Sequence, residues 1–142
     1  GSMLGSSAVM VMDHTVCPVW ALANLSHFYH HESCGQCTPC REGSSWLHKI
    51  VRRIEQGGGT EQDLEVLYSI AGEGKPGSGM ISGRSICALG DAAAWPVGSA
   101  IKQFRKEFEE HIRLKKCPYD NKRYWMADGQ FVNESFGNAP AL

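Results

Sequence analysis

Apolar positions recur at helical spacing in four stretches of the chain. Pro18 suits the first position of a helix, where its missing N–H costs nothing. Val19, Leu22, Ala23, Leu25 and Phe28 then give that helix an apolar face through Tyr29 or His30. Trp46, Leu47, Ile50, Val51 and Ile54 repeat the pattern, with Lys49, Arg52 and Arg53 on the other side, and Gly57-Gly58-Gly59 stops it. Thr60 with Asp63 makes a start like a capping box, after which Leu64, Leu67 and Ile70 carry a short third helix. A last helix runs from about Pro96 to Leu114, with Ile101, Phe104, Phe108 and Ile112 on one face. The pattern predicts an all-α fold, a small four-helix bundle in which the cysteines sit on a loop after the first helix.

The intervening stretches break the period. Ala8 to Asp13 is a short β-prone run; a lone strand needs neighbours, so it is expected to be the last strand of something that precedes residue 1. Residues 72–83 form a glycine-rich surface loop. A phosphate cradle would need a Gly-Lys-Ser/Thr terminus opening a helix, and neither follows, so a linker is expected. From Lys115 to Leu142 the aromatics Tyr119, Tyr124, Trp125, Phe131 and Phe136 are scattered without a period, which predicts an extended tail packed on another surface. The resulting division is 1–13, 14–113 and 114–142.

Composition narrows the function classes. At 142 residues, 42% hydrophobic and 20% charged, the chain can bury one modest core. A formal net charge of −1 lacks the basic excess that nucleic acid or an anionic membrane selects. No apolar run approaches the roughly 20 residues that span a bilayer, so direct membrane insertion is not expected. Gly1 to Ser7 lacks the positive region and apolar core of a secretory signal. Six cysteines therefore read as metal ligands before they read as a disulfide framework, since three of them fall within seven residues.

Those three are Cys34-Gly-Gln-Cys37-Thr-Pro-Cys40, a C-x2-C-x2-C motif, and Cys87 follows much later. Thiolates at every third residue of a loop wrap three corners of a cubane, and a distant cysteine closes the fourth. Structural zinc more often uses two separated pairs. The spacing thus favours a [4Fe–4S] cluster on Cys34, Cys37, Cys40 and Cys87, with a zinc-stabilised interaction module as the alternative of another class. Gly35 lets the backbone approach the sulfides, Pro39 stiffens the loop, and Ser33, Gln36, Thr38 and Arg41 are candidate donors to the sulfurs, each raising the reduction potential. Cys17 reads as a small buried hydrophobe, and Cys117 as paired or free. His30 and His31 read as helix-end packing, not ligands. Asp91, Glu32 and Glu42 lack a nucleophile to serve, so no acid–base site is expected.

Two blocks carry a resemblance. His31-Glu-Ser-Cys-Gly-Gln-Cys-Thr-Pro-Cys-Arg-Glu-Gly43 and Ile86-Cys-Ala-Leu-Gly-Asp-Ala-Ala-Ala-Trp-Pro-Val97 closely resemble the C-terminal iron–sulfur region of the NADH-binding flavoprotein subunit of respiratory complex I, and of related diaphorase subunits of NAD-linked hydrogenases and formate dehydrogenases. The resemblance runs from about Leu4 to Ile112 and implies that residues 1–13 end a preceding β-rich domain. It implies a helical bundle holding one [4Fe–4S] cluster on the residues matching Cys34, Cys37, Cys40 and Cys87. That cluster would take single electrons from FMN after NADH oxidation and pass them along an iron–sulfur chain towards quinone. It also implies, as partners, a flavin- and NADH-binding domain or chain and the other iron–sulfur subunits. The implied location is the peripheral arm, on the matrix side of the mitochondrial inner membrane or the cytoplasmic side of a bacterial plasma membrane. Two departures stand out. The Cys40–Cys87 linker is longer, with the surplus in the glycine-rich loop where insertion is cheap. The flavin domain is missing from this chain, which is expected to be a piece of the subunit or one of two complementary chains, and not to oxidise NADH alone.

Overall fold

The structure, a computed structural model, describes residues 7, 9–75, 77–119, 124–127 and 130–133. Among the described residues five helices carry the core: α1 (Pro18–Glu32), α2 (Thr38–Glu55), α3 (Glu61–Ala71), α4 (Leu89–Gln103) and α5 (Arg105–Leu114). The expected all-α fold holds, with one helix more than the periodicity predicts.

The difference lies in the last helix. α4 begins at Leu89, well before Pro96, which sits inside it. Proline is cheapest at a helix start, yet a helix interior accepts it at the loss of one backbone bond when packing compensates. At Phe104 the backbone leaves helical geometry (φ −118°, ψ 28°), and α5 begins one residue later. Ile101, Phe108 and Ile112 are buried as the face predicts, while Phe104, at the break, is 38% exposed. The α1 face is also rotated from its expected position: Val19, Leu22, Ala23 and Ser26 point inward, and Phe28 is 54% exposed. A buried serine is tolerated there because its Oγ donates to the Leu22 carbonyl at 2.6 Å.

The core joins Leu47, Val51 and Ile54 of α2 to Leu64, Leu67 and Ile70 of α3, Ala94, Val97 and Ile101 of α4, and Phe108 of α5. Asp63 accepts the Thr60 N–H at 2.8 Å, the reach-back half of the capping box, and pairs with Arg53 of α2. Burial opposes the charge on Asp63, but Arg53 and Thr60 outweigh it and hold the carboxyl below its usual range.

The glycine-rich stretch is more than a surface linker. Ile81 and Ser82 are both fully buried. Ser82 Oγ donates to Asp91 Oδ1 at 2.5 Å, and Trp95 Nε1–H donates to Ser82 Oγ at 2.9 Å. These bonds fasten the loop to α4 and give Asp91 a structural use. Ile81 fits because α2 offers no side chain at Gly43: a Cβ there would lie 2.5 Å from Ile81 Cδ1.

Residues 9–13 form no strand. Val9 and Val11 are 80% and 92% exposed, and no strand edge lies beside them among the described residues. Beyond α5, Tyr119 and Cys117 pack against the core. The backbone of β1 (Tyr124–Ala127) then pairs antiparallel with β2 (Gln130–Asn133), with Trp125 opposite Val132. Phe136 lies outside the described residues. Among the described residues no helix is long and apolar enough to cross a membrane.

His48 of α2 sits against two α1 histidines, 5.0 Å from His27 and 6.0 Å from His30 between ring centroids. Burial, and then these neighbours, push it down to about 4. An unfolded chain protonates it near 6.5, so below that pH the unfolded state binds the extra proton and stability falls as pH drops towards about 4. Denaturant melts at about pH 7.5 and about pH 5.5, which bracket that ordinary value, are expected to show a smaller loss in His48→Gln than in the original chain. Equal losses would exclude this cause. Gly43→Ala is expected to cost about 1–3 kcal/mol in the same melts, since fully buried Ile81 has little room to yield.

Candidate metal centre

Two helix starts meet at the cysteine loop. α1 ends at Glu32, and Gly35 (φ +77°) turns the chain in a conformation that side chains resist. Arg41 fastens this turn by donating from Nη1 to the Gly35 carbonyl at 2.6 Å. Cys37 is the N-cap of α2, whose first turn holds Cys40, so the helix starts inside the motif and not beyond it. Cys87 precedes α4, whose N-cap is Ala88. Neither N-cap makes a side-chain capping bond. Both helices thus direct uncapped N–H groups and the positive ends of their dipoles to the region where the cysteines gather, a setting that favours anions.

A cross-link joins the two segments. The Ile86 N–H donates to Cys37 Sγ at 3.4 Å, across 49 residues of sequence. Ser85 Oγ donates to the Cys87 carbonyl at 3.0 Å and shapes the turn. Ser33 Oγ lies 3.5 Å from Cys40 Sγ and accepts the Gly35 N–H at 3.4 Å. Of the four donors anticipated around the sulfurs, Ser33 thus touches one and Arg41 acts on the backbone, while Gln36 and Thr38 stand exposed. Cys40 is buried, Cys37 half-buried, and Cys34 and Cys87 are exposed. The outer two are open to a neighbouring surface.

Four thiols about two anion-favouring helix starts, one already accepting a backbone N–H, fit an all-thiolate iron–sulfur cluster. His30 and His31 stay outside: His31 Nδ1 is 3.1 Å from Glu32 Oε1, and His30 stacks on His48.

The two remaining cysteines do have a common site, which local spacing could not reveal. Cys17 is buried as expected, but its Sγ lies 3.2 Å from Nε2 of buried His111. Cys117 completes the group, and all three ligand atoms lie within 4.8 Å of one another. The hydrogen bond from Cys17 holds the Cys117 thiol down, and the same bond together with burial pushes Cys17 up. The signal lies in tertiary packing, since 94 residues separate Cys17 from His111.

Known proteins resemble the helical region that carries the first of these sites. Residues 20–111 match the family model described as the NADH-ubiquinone oxidoreductase-F iron–sulfur binding region. An NADH-quinone oxidoreductase subunit of Streptomyces coelicolor is 50% identical over 120 residues, which cover 84% of this chain and 25% of that protein. The mitochondrial NADH-ubiquinone oxidoreductase 51 kDa subunit of Neurospora crassa is 47% identical over 112 residues, 79% of this chain and 21% of that one. This chain therefore spans about a quarter of the length of such relatives. Among solved structures, an NAD+-reducing [NiFe]-hydrogenase in the H2-reduced state has a similar fold, with a TM-score of 0.59 and 32% identity over 78% of this chain and 17% of its own. With the family match spanning most of its helices, the chain belongs to the NADH-ubiquinone oxidoreductase-F iron–sulfur binding family.

Proposed function

We propose that Cys34, Cys37, Cys40 and Cys87 hold a [4Fe–4S] cluster, and that the region 14–113 relays single electrons in an NADH:quinone oxidoreductase of the complex I type. The carrying observation is the Ile86 N–H on Cys37 Sγ, which ties the loop motif to the segment of the distant fourth cysteine. When bound, the cluster supplies reversible one-electron storage. The chain's own residues set its conditions. The α2 and α4 N-termini and the Ile86 N–H stabilise negative charge on the thiolates, and Ser33 adds a hydroxyl beside Cys40. Buried Cys40 anchors the inner side, while exposed Cys34 and Cys87 leave the site open to an electron donor.

In this reading the donor is FMN, reduced by NADH in a flavin-binding domain or chain, and the acceptors are further iron–sulfur subunits of a peripheral arm. The names of the relatives, NADH-quinone and NADH-ubiquinone oxidoreductase subunits, support it. The likeness to an NAD+-reducing hydrogenase supports a second reading, a diaphorase subunit with the same internal electron path and a different terminal partner.

The test uses an assembled complex carrying this region. Cys87→Ala is expected to abolish the cluster's EPR signal and to cut NADH-to-quinone electron transfer by more than tenfold, while NADH-to-ferricyanide transfer at the flavin persists. A retained signal would exclude Cys87 as a ligand, and unimpaired quinone reduction would exclude the relay. Ser33→Ala is expected to keep the signal and move its midpoint potential to a more negative value in a redox titration, because a donor near sulfur is lost.

A further inference from the structure

Cys17, His111 and Cys117 reach one point from three places: the N-cap of α1, the last turn of α5, and the segment beyond it. Ordinary burial accounts for Cys17 alone, but not for a second thiol and an imidazole converging on it. A disulfide would need an oxidant and would leave His111 without a use.

Each of the three is held as a metal ligand is held. His111 Nδ1 lies 2.6 Å from the Glu107 carbonyl, which can only accept, so Nδ1 carries the proton and Nε2 presents its lone pair towards the thiols. A carbonyl that fixes the histidine in this way is a recurrent support of metal sites. Cys17 Sγ accepts the Trp20 N–H at 3.3 Å from the start of α1. Such N–H groups stabilise thiolate sulfur.

The position of Cys117 is also set by the fold. Lys115 ends α5 in the left-handed region (φ 55°) and turns the chain back. Its carbonyl crosses Gly57 so closely that a Cβ there would lie 2.1 Å from it, and its Nζ donates to the Gly59 carbonyl at 3.2 Å. The turn between α2 and α3 therefore fixes the segment bearing Cys117.

We propose that Cys17, His111 and Cys117 form a second metal site, which takes zinc. Two thiolates and an imidazole are a soft donor set that suits tetrahedral zinc, and their present spread needs little contraction to the roughly 3.5–3.8 Å between zinc ligands. Water supplies the fourth ligand on the side of Cys117, the half-buried member. Binding displaces the two thiol protons to solvent. The ion clamps the start of α1 to the end of α5, and it shares no residue with the four-cysteine site.

The test is made on the cluster-loaded 142-residue chain, washed with a chelator and titrated anaerobically with zinc. The expected result is uptake of about one zinc per chain, with X-ray absorption showing two sulfurs at about 2.3 Å and nitrogen or oxygen at about 2.0 Å. Cys117→Ser is expected to weaken zinc binding on the order of 100-fold and to remove the zinc-dependent rise in melting temperature, with iron and sulfide content unchanged. A folded, cluster-loaded chain that takes up no zinc would overturn the proposal. So would binding undiminished by Cys117→Ser, or a Cys17–Cys117 disulfide in the anaerobic protein. Should Cys117→Ser not fold, the absorption spectrum of the unaltered chain still decides: coordination by four sulfurs would place the zinc elsewhere and overturn it. Loss of iron or sulfide in the starting material would count against the four-cysteine reading instead, and leaves this one to be judged on zinc alone.

Discussion

Everything at the four-cysteine site depends on bringing the starts of two helices together across 49 residues. α2 begins within the C-x2-C-x2-C motif and α4 begins just after Cys87. Helix starts carrying uncapped N–H groups are costly to bury against one another and favourable beside negative charge. Their approach is enforced from below by packing. Ile81 is seated where Gly43 leaves α2 bare, and Ser82 is held by Asp91 and Trp95 of α4. The same contacts that bury the loop thus deliver Ile86 to Cys37. In the proposed reading a cluster bridging the two segments would turn an electrostatic liability into a bond between helices, and its binding would be linked to the stability of this end of the bundle.

Much of this is legible in the sequence because the relevant signals are local. Three cysteines within seven residues single out a candidate metal centre, and Leu47, Val51 and Ile54, or Leu64, Leu67 and Ile70, fall at the period of a helix and are buried in one. Thr60 and Asp63 behave as their spacing suggests. Where sequence and structure part, a local rule meets a tertiary exception. Pro96 marks no helix start, because α4 packs well enough to accept it. Glycines at 72–83 suggest an unanchored loop, yet two residues among them, Ile81 and Ser82, are core. Phe28 completes an apolar stripe by spacing, but Ser26 takes the inward position instead, its hydroxyl satisfied by the backbone.

The three-residue site at the other end of the fold shows the same limit more sharply. Cys17 and Cys117 carry no motif, and His111 lies on a charged amphipathic helix among arginine and glutamate. Only the path of the chain after α5, turned by Lys115 over Gly57, brings them together. The two cysteine sites therefore follow different logics: one written as a motif and closed by packing, the other written by packing alone.

The central claim is that the motif cysteines and Cys87 hold an iron–sulfur cluster, and its most direct measurement is the iron and acid-labile sulfide content of anaerobically prepared protein, combined with Mössbauer spectroscopy. The expected result is about four iron and about four sulfide per chain in a single cubane. Absence of sulfide, with zinc bound through four sulfurs, would contradict it.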